Sequence, residues 1–106
     1  KNVINNFSIN LRNLNKVIIE KKIVPIFITQ VKFDGISDHN LYLVNNYLKK
    51  FCLQNNYEII KLDEIINNLD KKDFYDHVHT TIKGSTKISN LIYYRLKKIL
   101  ENKISF

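Results

Sequence analysis

The sequence predicts an α/β domain in which strands and helices alternate along the chain. The continuously apolar, β-branched run at 23–29 has the composition of a strand in a parallel sheet that helices cover, and the run at 57–62 is predicted to form a second strand. The segments around these runs repeat apolar residues at the spacing of amphipathic helices. Strand, helix, strand and helix in succession predict a βαβ unit with a right-handed crossover.

The first predicted helix spans residues 2–21 and turns one apolar stripe inward. Its stripe consists of Val3, Ile4, Phe7, Leu11, Leu14, Val17 and Ile18. In the strand that follows, Pro25 cannot donate to the sheet, so we expect it near the beginning of the strand. A polar loop at 30–40 then leaves the carboxyl end of that strand, where open α/β sheets bind their ligands.

The second predicted helix starts from a cap at Ser37 or Asp38 and ends near Asn55. After the second strand, Asp63 is the expected cap of a short helix over residues 64–69. The last helix begins at Thr81 and carries Ile88, Leu91, Ile92, Leu96 and Ile99 on one face. Gly84 in its first turn costs about 1 kcal/mol relative to Ala, which indicates a close backbone approach there.

Length and composition bound the chain to one small domain or less. It has 106 residues, of which 44% are apolar and 25% charged, an ordinary globular composition. The 17 Lys and Arg against 10 Asp and Glu give a net charge of +7. Lysine pairs are scattered along the chain, and no stripe of Arg alternates with aromatic residues. We therefore expect a solvated basic surface and no nucleic-acid partner.

The sequence predicts neither an internal disulfide nor a membrane span. The single cysteine, Cys52, cannot form an internal disulfide, and its place on an apolar helix face predicts a small buried hydrophobic residue. No apolar run approaches the roughly 20 residues needed to cross a bilayer, and no signal peptide opens the chain, so no membrane span is expected.

The most specific stretch is the loop that leads into the last helix. Asp76 stands three positions before His79, which can place a carboxylate against Nδ1 of the imidazole while Nε2 faces a cleft. This is the orienting pair of a nucleophilic hydrolase. Asp76, His77 and His79 would also fit part of a zinc or iron site, with His39 as the only other imidazole in the sequence. We expect neither a metal nor another cofactor.

The same loop resembles a known family. Phe74-Tyr75-Asp76-His77-Val78-His79-x-Thr81-x-x-Gly84, followed by an amphipathic helix, is similar to the last conserved block of the SGNH (GDSL-type) hydrolases. The resemblance implies a flavodoxin-like three-layer α/β/α sandwich with a parallel sheet. It also implies that Asp76 and His79 are the Asp and His of a Ser-His-Asp triad.

The nucleophile side of that family is absent from this sequence. No Gly-Asp-Ser block occurs, and the only glycines are Gly35 and Gly84. Because the chain also opens with Lys1, we expect residues 1–106 to be the C-terminal portion of a single SGNH-hydrolase-like domain without its N-terminal nucleophile half. Ser37 follows Gly35 closely, but a helix cap is the better interpretation of it than a nucleophile.

The resulting functional hypothesis is a serine esterase or acyl hydrolase whose Asp and His lie in this chain. Its substrate is expected to be a small-molecule, carbohydrate or lipid ester, and these residues alone are expected to be inactive. Two predicted strands cannot form a stable sheet by themselves, so the N-terminal half of the parent chain or a partner chain is expected to complete it. The alternative is a non-catalytic α/β binding or structural module.

Overall fold

A computed structural model describes residues 2–32, 38–76 and 78–104. About 67% of the described residues are helical. In chain order the elements are α1 (Asn2–Glu20), β1 (Ile26–Ile28), α2 (His39–Asn55), β2 (Glu58–Ile60), α3 (Leu62–Ile65), a 3₁₀ turn (Lys71–Asp73) and α4 (Ile82–Ile104).

The described strands form a two-stranded parallel sheet in which β1 pairs with β2, and α2 connects them along the chain. The expected flavodoxin-like three-layer sandwich is therefore wrong for the described residues, because two strands of three residues cannot form the middle layer of a sandwich. Both strands are shorter than predicted. Ile23, Val24 and Pro25 precede β1 outside the sheet, and Leu62 already belongs to α3.

The described chain divides into two compact units, of which the first holds residues 1–27 and 38–59. Its core consists of Leu11, Leu48, Phe51 and Cys52, with Phe7, Phe27, Tyr47, Tyr57 and Ile59 packed against them. The Phe27 ring stacks on Tyr57 and meets Phe51 edge to face. Cys52 is fully buried, and this burial raises the pKa of its thiol to about 11. Its predicted role as a buried hydrophobic residue is confirmed.

The helices of this unit begin and end for local reasons that the sequence indicates. Asp38 caps α2, since its Oδ1 accepts a hydrogen bond of 3.0 Å from the Leu41 N–H. Asn56 ends α2 in the left-handed region, with φ of 57°. The buried stripe of α1 is narrower than predicted. Leu14 and Val17 are 47% and 45% exposed, although their spacing predicted burial.

The second unit holds residues 28–37 and 60–106. Its core is formed by Val31, Leu62 and Phe74, against which Ile65, Ile66, Leu69, Ile88, Leu91 and Ile92 pack. Leu62 is only 3% exposed. The short helix α3 begins at Leu62, so Asp63 lies inside its first turn instead of capping it as predicted.

The long helix α4 starts one residue after Thr81. The Thr81 hydroxyl oxygen accepts a hydrogen bond of 3.2 Å from the Gly84 N–H, so Thr81 caps the helix. A Cβ added at Gly84 would overlap the carbonyl oxygen of Asp73 and lie 2.9 Å from Asp73 Cβ. The close backbone approach predicted at Gly84 is therefore confirmed, and its neighbour is Asp73.

Candidate active site in the loop between Asp73 and Thr81

A capping box fixes the start of the loop that carries Asp76 and His79. The Asp70 carboxylate accepts a hydrogen bond of 2.8 Å from the Lys72 N–H at the start of the 3₁₀ turn. In return, Asp73 Oδ2 accepts one of 2.9 Å from the Asp70 N–H. The backbone direction at Asp73 is therefore set before the loop begins.

Backbone hydrogen bonds close the loop on itself. Phe74 and Thr80 form an antiparallel bridge, and the Tyr75 N–H donates to the His79 carbonyl at 2.7 Å. The Thr81 N–H then donates to the carbonyl of Asp73 at 2.8 Å. Asp76 and His79 thus lie within a loop whose two ends are joined to each other.

Within this loop, Asp76 and His79 are hydrogen-bonded. Asp76 Oδ2 lies 2.7 Å from His79 Nδ1, within the distance expected from their spacing in sequence. The other carboxylate oxygen, Oδ1, accepts the backbone N–H groups of Val78 at 2.9 Å and His79 at 2.7 Å. Both oxygens of Asp76 are therefore engaged, and the turn itself aims the carboxylate at the imidazole.

These hydrogen bonds determine the charge of Asp76 and the tautomer of His79. The backbone N–H groups of His79 and Val78, followed by the imidazole, hold the pKa of the Asp76 carboxyl far below its usual range. An ionised carboxylate only accepts hydrogen bonds, so the proton of a neutral His79 ring resides on Nδ1. Nε2 then carries a lone pair and can accept a proton from another group.

Both side chains are open to solvent. The side chain of His79 is 77% exposed and that of Asp76 is 50% exposed. Tyr75 and Ile82, at either side of the pair in sequence, are 76% and 84% exposed. The ring edge bearing Nε2 is therefore accessible to a substrate or to another polypeptide segment. The exposed side chains of Tyr75 and Ile82, which are near His79 in sequence, provide apolar surface.

The other residues named from sequence are placed elsewhere or lie outside the described residues. His39 is the exposed first residue of α2, and its ring stacks on Tyr42 with 6.3 Å between centroids. His77, Gly35 and Ser37 lie outside the described residues. Within residues 2–32, 38–76 and 78–104, no three His, Cys, Asp or Glu side chains are grouped to hold a metal ion.

Across the three described ranges, none of the helices combines the length and apolar character needed to span a bilayer.

Sequence reasoning missed a buried ion pair beneath the loop. Asp73 is fully buried, and its Oδ2 accepts a hydrogen bond of 2.8 Å from Nζ of Lys87 in α4. Lys87 and the Asp70 N–H lower the pKa of the Asp73 carboxyl. The pattern Asp70-x-x-Asp73 is a capping-box signal that could have identified the turn. Nothing in the helical spacing of Lys87 indicates its partner 14 residues earlier.

Comparison of the chain with protein-family models, curated proteins and solved structures found no match in any of the three. The resemblance of the loop to the SGNH block therefore depends on the residues of the loop alone.

Proposed function

We propose that Asp76 and His79 are the carboxylate and imidazole of a serine esterase or acyl hydrolase. The observation that carries this proposal is the 2.7 Å hydrogen bond between Asp76 Oδ2 and Nδ1 of an exposed His79 ring. It leaves Nε2 as the basic atom and puts a fixed negative charge behind the ring. The resemblance of residues 74–84 to the last SGNH block supports the same role.

In this mechanism His79 moves the proton at Nε2. It accepts the proton of a serine hydroxyl as the serine oxygen attacks the ester carbonyl, and it then gives that proton to the departing alcohol. A water molecule deprotonated by the same nitrogen next attacks the acyl-enzyme, the bond to the serine oxygen breaks, and that oxygen takes the proton back from Nε2 as the acid leaves. Asp76 holds the ring in the required tautomer and stabilises the imidazolium in both steps.

The serine is proposed to come from outside this chain. No Gly-Asp-Ser block occurs in the sequence, and the Ser85 hydroxyl is engaged with the Thr80 hydroxyl at 2.6 Å. The segment that supplies the serine is proposed to add strands to the β1–β2 pair as well, because a two-stranded sheet is marginal alone. This segment is the N-terminal half of the parent chain or a partner chain.

The test is labelling of the full-length protein by a fluorophosphonate, which reacts with activated serines. Wild-type protein is expected to be labelled, and His79→Ala is expected to lose labelling together with hydrolysis of a short-chain aryl ester. Loss of the general base is expected to lower kcat roughly 10²–10⁴-fold. Because the base acts mainly in the transition state, KM is expected to change little.

His39→Ala is the matched control, since it removes an exposed imidazole that lies outside the loop. It is expected to keep labelling and turnover within about twofold of wild type. A His79→Ala protein that folds by circular dichroism and retains most of its turnover would contradict the proposal. That outcome would favour the alternative, a non-catalytic binding or structural module in which Asp76 serves only to order the turn.

A further inference from the structure

Asp73 makes a group of contacts that join the loop to α4, here called the Asp73 clamp. It consists of Asp73, Lys87 and Gly84 together with the Thr81 N–H. The side chain of Asp73 is 0% exposed and that of Lys87 is 24% exposed. Their ion pair is therefore largely removed from solvent, unlike the exposed Asp76–His79 pair.

The side chain of Asp73 joins the loop to α4. Its Oδ2 accepts hydrogen bonds from Lys87 Nζ at 2.8 Å and from the Asp70 N–H at 2.9 Å. Lys87 Nζ donates a second hydrogen bond, also of 2.8 Å, to the carbonyl of Asn68. One lysine of α4 thus holds both the segment before the 3₁₀ turn and the first residue of the loop.

The backbone of Asp73 joins the start of the loop to its end. Its carbonyl accepts the Thr81 N–H at 2.8 Å, and Gly84 packs against the same residue without room for a side chain. His79 is two residues from Thr81 and is bonded to Tyr75 through its own carbonyl. The position of His79 relative to α4 is therefore set by contacts that converge on Asp73.

The local turn and the clamp have different effects. The two N–H bonds to Asp76 Oδ1 orient the carboxylate toward His79, and they involve only residues of the turn itself. They do not determine where the pair lies relative to the helix. That relation depends on the clamp, which links the loop to Gly84 and Lys87 of α4.

Stability alone is a poor explanation for a charged residue at position 73. Burying an ion pair is often no more stabilising than a well-packed apolar pair of similar volume. In addition, Asp73 Oδ1 is buried with no hydrogen-bond partner among the described residues. In some proteins, buried polar pairs with fixed geometry specify one arrangement of the chain instead of adding stability.

We propose that Asp73 is a positioning residue, whose clamp to Lys87, Thr81 and Gly84 holds the Asp76–His79 loop in one orientation on α4. The proposal builds on the proposed function, since orientation of the pair matters to the reaction that the pair performs. The clamp itself is expected to be detectable without any substrate.

The first experiment follows the loop by NMR in full-length protein with uniform nitrogen-15 labelling. Lys87→Met removes the cation and leaves a buried carboxylate unpaired, whereas Lys97→Met makes the same substitution at an exposed site of the same helix. In Lys87→Met, the backbone amide signal of His79 is expected to shift, because the loop changes its position on α4. Hydrogen exchange at the Tyr75 and Thr81 amides is expected to accelerate roughly tenfold or more.

Amides of α2 provide the internal reference and are expected to exchange at their wild-type rates in both variants. Asp73→Asn combined with Lys87→Met removes both charges, so the double variant is expected to recover part of the protection that Lys87→Met loses. This rescue distinguishes a charge-paired clamp from simple loss of lysine packing, and it also provides a folded variant if Lys87→Met alone does not fold.

The second experiment is kinetic and uses the full-length protein with a short-chain aryl ester. In the double variant, kcat is expected to fall roughly tenfold relative to wild type, while KM changes less than about twofold. A His79 ring held in the wrong orientation slows the proton transfer but does not weaken substrate binding. Lys97→Met is expected to match wild type in both parameters.

The outcomes separate the two proposals. If Lys87→Met and the double variant are folded and keep the His79 amide signal and the amide protection seen in Lys97→Met, the positioning role is wrong. If the signal and protection respond as expected while His79→Ala leaves ester turnover unchanged, the clamp stands and the hydrolase assignment fails.

Discussion

Thr29 and Asp63 hydrogen-bond to each other in both directions, although 34 positions separate them in sequence. The Thr29 hydroxyl donates to Asp63 Oδ1 at 2.6 Å and accepts from the Asp63 backbone N–H at 3.1 Å. Lys61, the residue before α3, makes no side-chain cap, so Thr29 supplies the acceptor that the first turn of α3 lacks. Thr29 is 2% exposed, and its carbon atoms are buried with the hydroxyl.

Replacing Thr29 by Val is expected to destabilise the protein by about 1–3 kcal/mol. The variant keeps the side-chain shape but leaves the Asp63 N–H and one Asp63 carboxylate oxygen without this part-buried partner. The free energy of unfolding in urea measures the effect. Thr86→Val is the control, because the Thr86 hydroxyl makes an exposed bond to the Ile82 carbonyl and its loss is expected to cost under about 0.5 kcal/mol. Equal effects in both variants would contradict the role of Thr29.

Gly84→Ala is expected to destabilise α4, although Ala is normally the better helix former by about 1 kcal/mol. The new methyl group would overlap the Asp73 carbonyl oxygen and lie 3.0 Å from its carbon, so the loop must move. We expect a net loss of roughly 1–3 kcal/mol, measured by thermal and urea unfolding. Ser89→Ala, at an exposed position of α4, is expected to be neutral or slightly stabilising. A stabilising effect at Gly84 would show that the approach is looser than described.

Acid is expected to weaken the clamp through Asp73. Its pKa in the folded protein lies below the usual value of 3.8, mainly because of the hydrogen bond from Lys87. A depressed pKa means that the unfolded chain binds the proton more readily, so this stabilisation is present above the unfolded pKa and is lost as the pH falls through the folded one. The free energy of unfolding is expected to decline from about pH 5 downward.

The matched comparison for this pH effect is Asp73→Asn, which cannot titrate at that position. Its free energy of unfolding is expected to be lower than that of wild type at neutral pH, and the difference is expected to shrink toward pH 3. Parallel pH profiles for the two proteins would exclude Asp73 as the titrating group.

Asp76→Asn is expected to reduce kcat for ester hydrolysis by the full-length protein roughly 10²–10⁴-fold, with KM nearly unchanged. The amide can donate a hydrogen bond to Nδ1, which favours the wrong imidazole tautomer, and it has no charge to stabilise the imidazolium. Asp38→Asn is the control, because Asn is as good a helix cap as Asp and α2 should be unaffected. Turnover within about twofold of wild type in Asp76→Asn would contradict the role of the carboxylate.

Local signals in the sequence were sufficient for much of the secondary structure. Asp38, Asn56 and Thr81 mark helix ends through bonds that each residue makes with its near neighbours. The hydrogen bond between Asp76 and His79 could also be predicted from sequence, because a three-residue spacing on a turn places a carboxylate beside the imidazole ring. In both cases the interaction is contained within a few residues of the pattern that predicts it.

Features that depend on distant residues could not be predicted in the same way. The sequence predicts one strand over 57–62, yet Leu62 begins a helix and packs in the core with Val31 and Phe74, which lie far from it in sequence. The three-layer sandwich was inferred from the family resemblance, which concerns a loop and contains no information on the number of strands. The pairing of Lys87 with Asp73 could not be predicted for a related reason. Helical periodicity shows which residues share a face of α4, but it does not show which residues that face contacts.

The clamp and the Asp76–His79 loop also have a consequence for the order of folding. The hydrogen bonds that define them join residues close in sequence, with separations of 3 for Asp76 and His79 and 14 for Asp73 and Lys87. Contacts of such short range require little loop closure and form rapidly. The hydrogen bonds within the segment from Asp70 to Lys87 can therefore form early, before strands distant in sequence have paired.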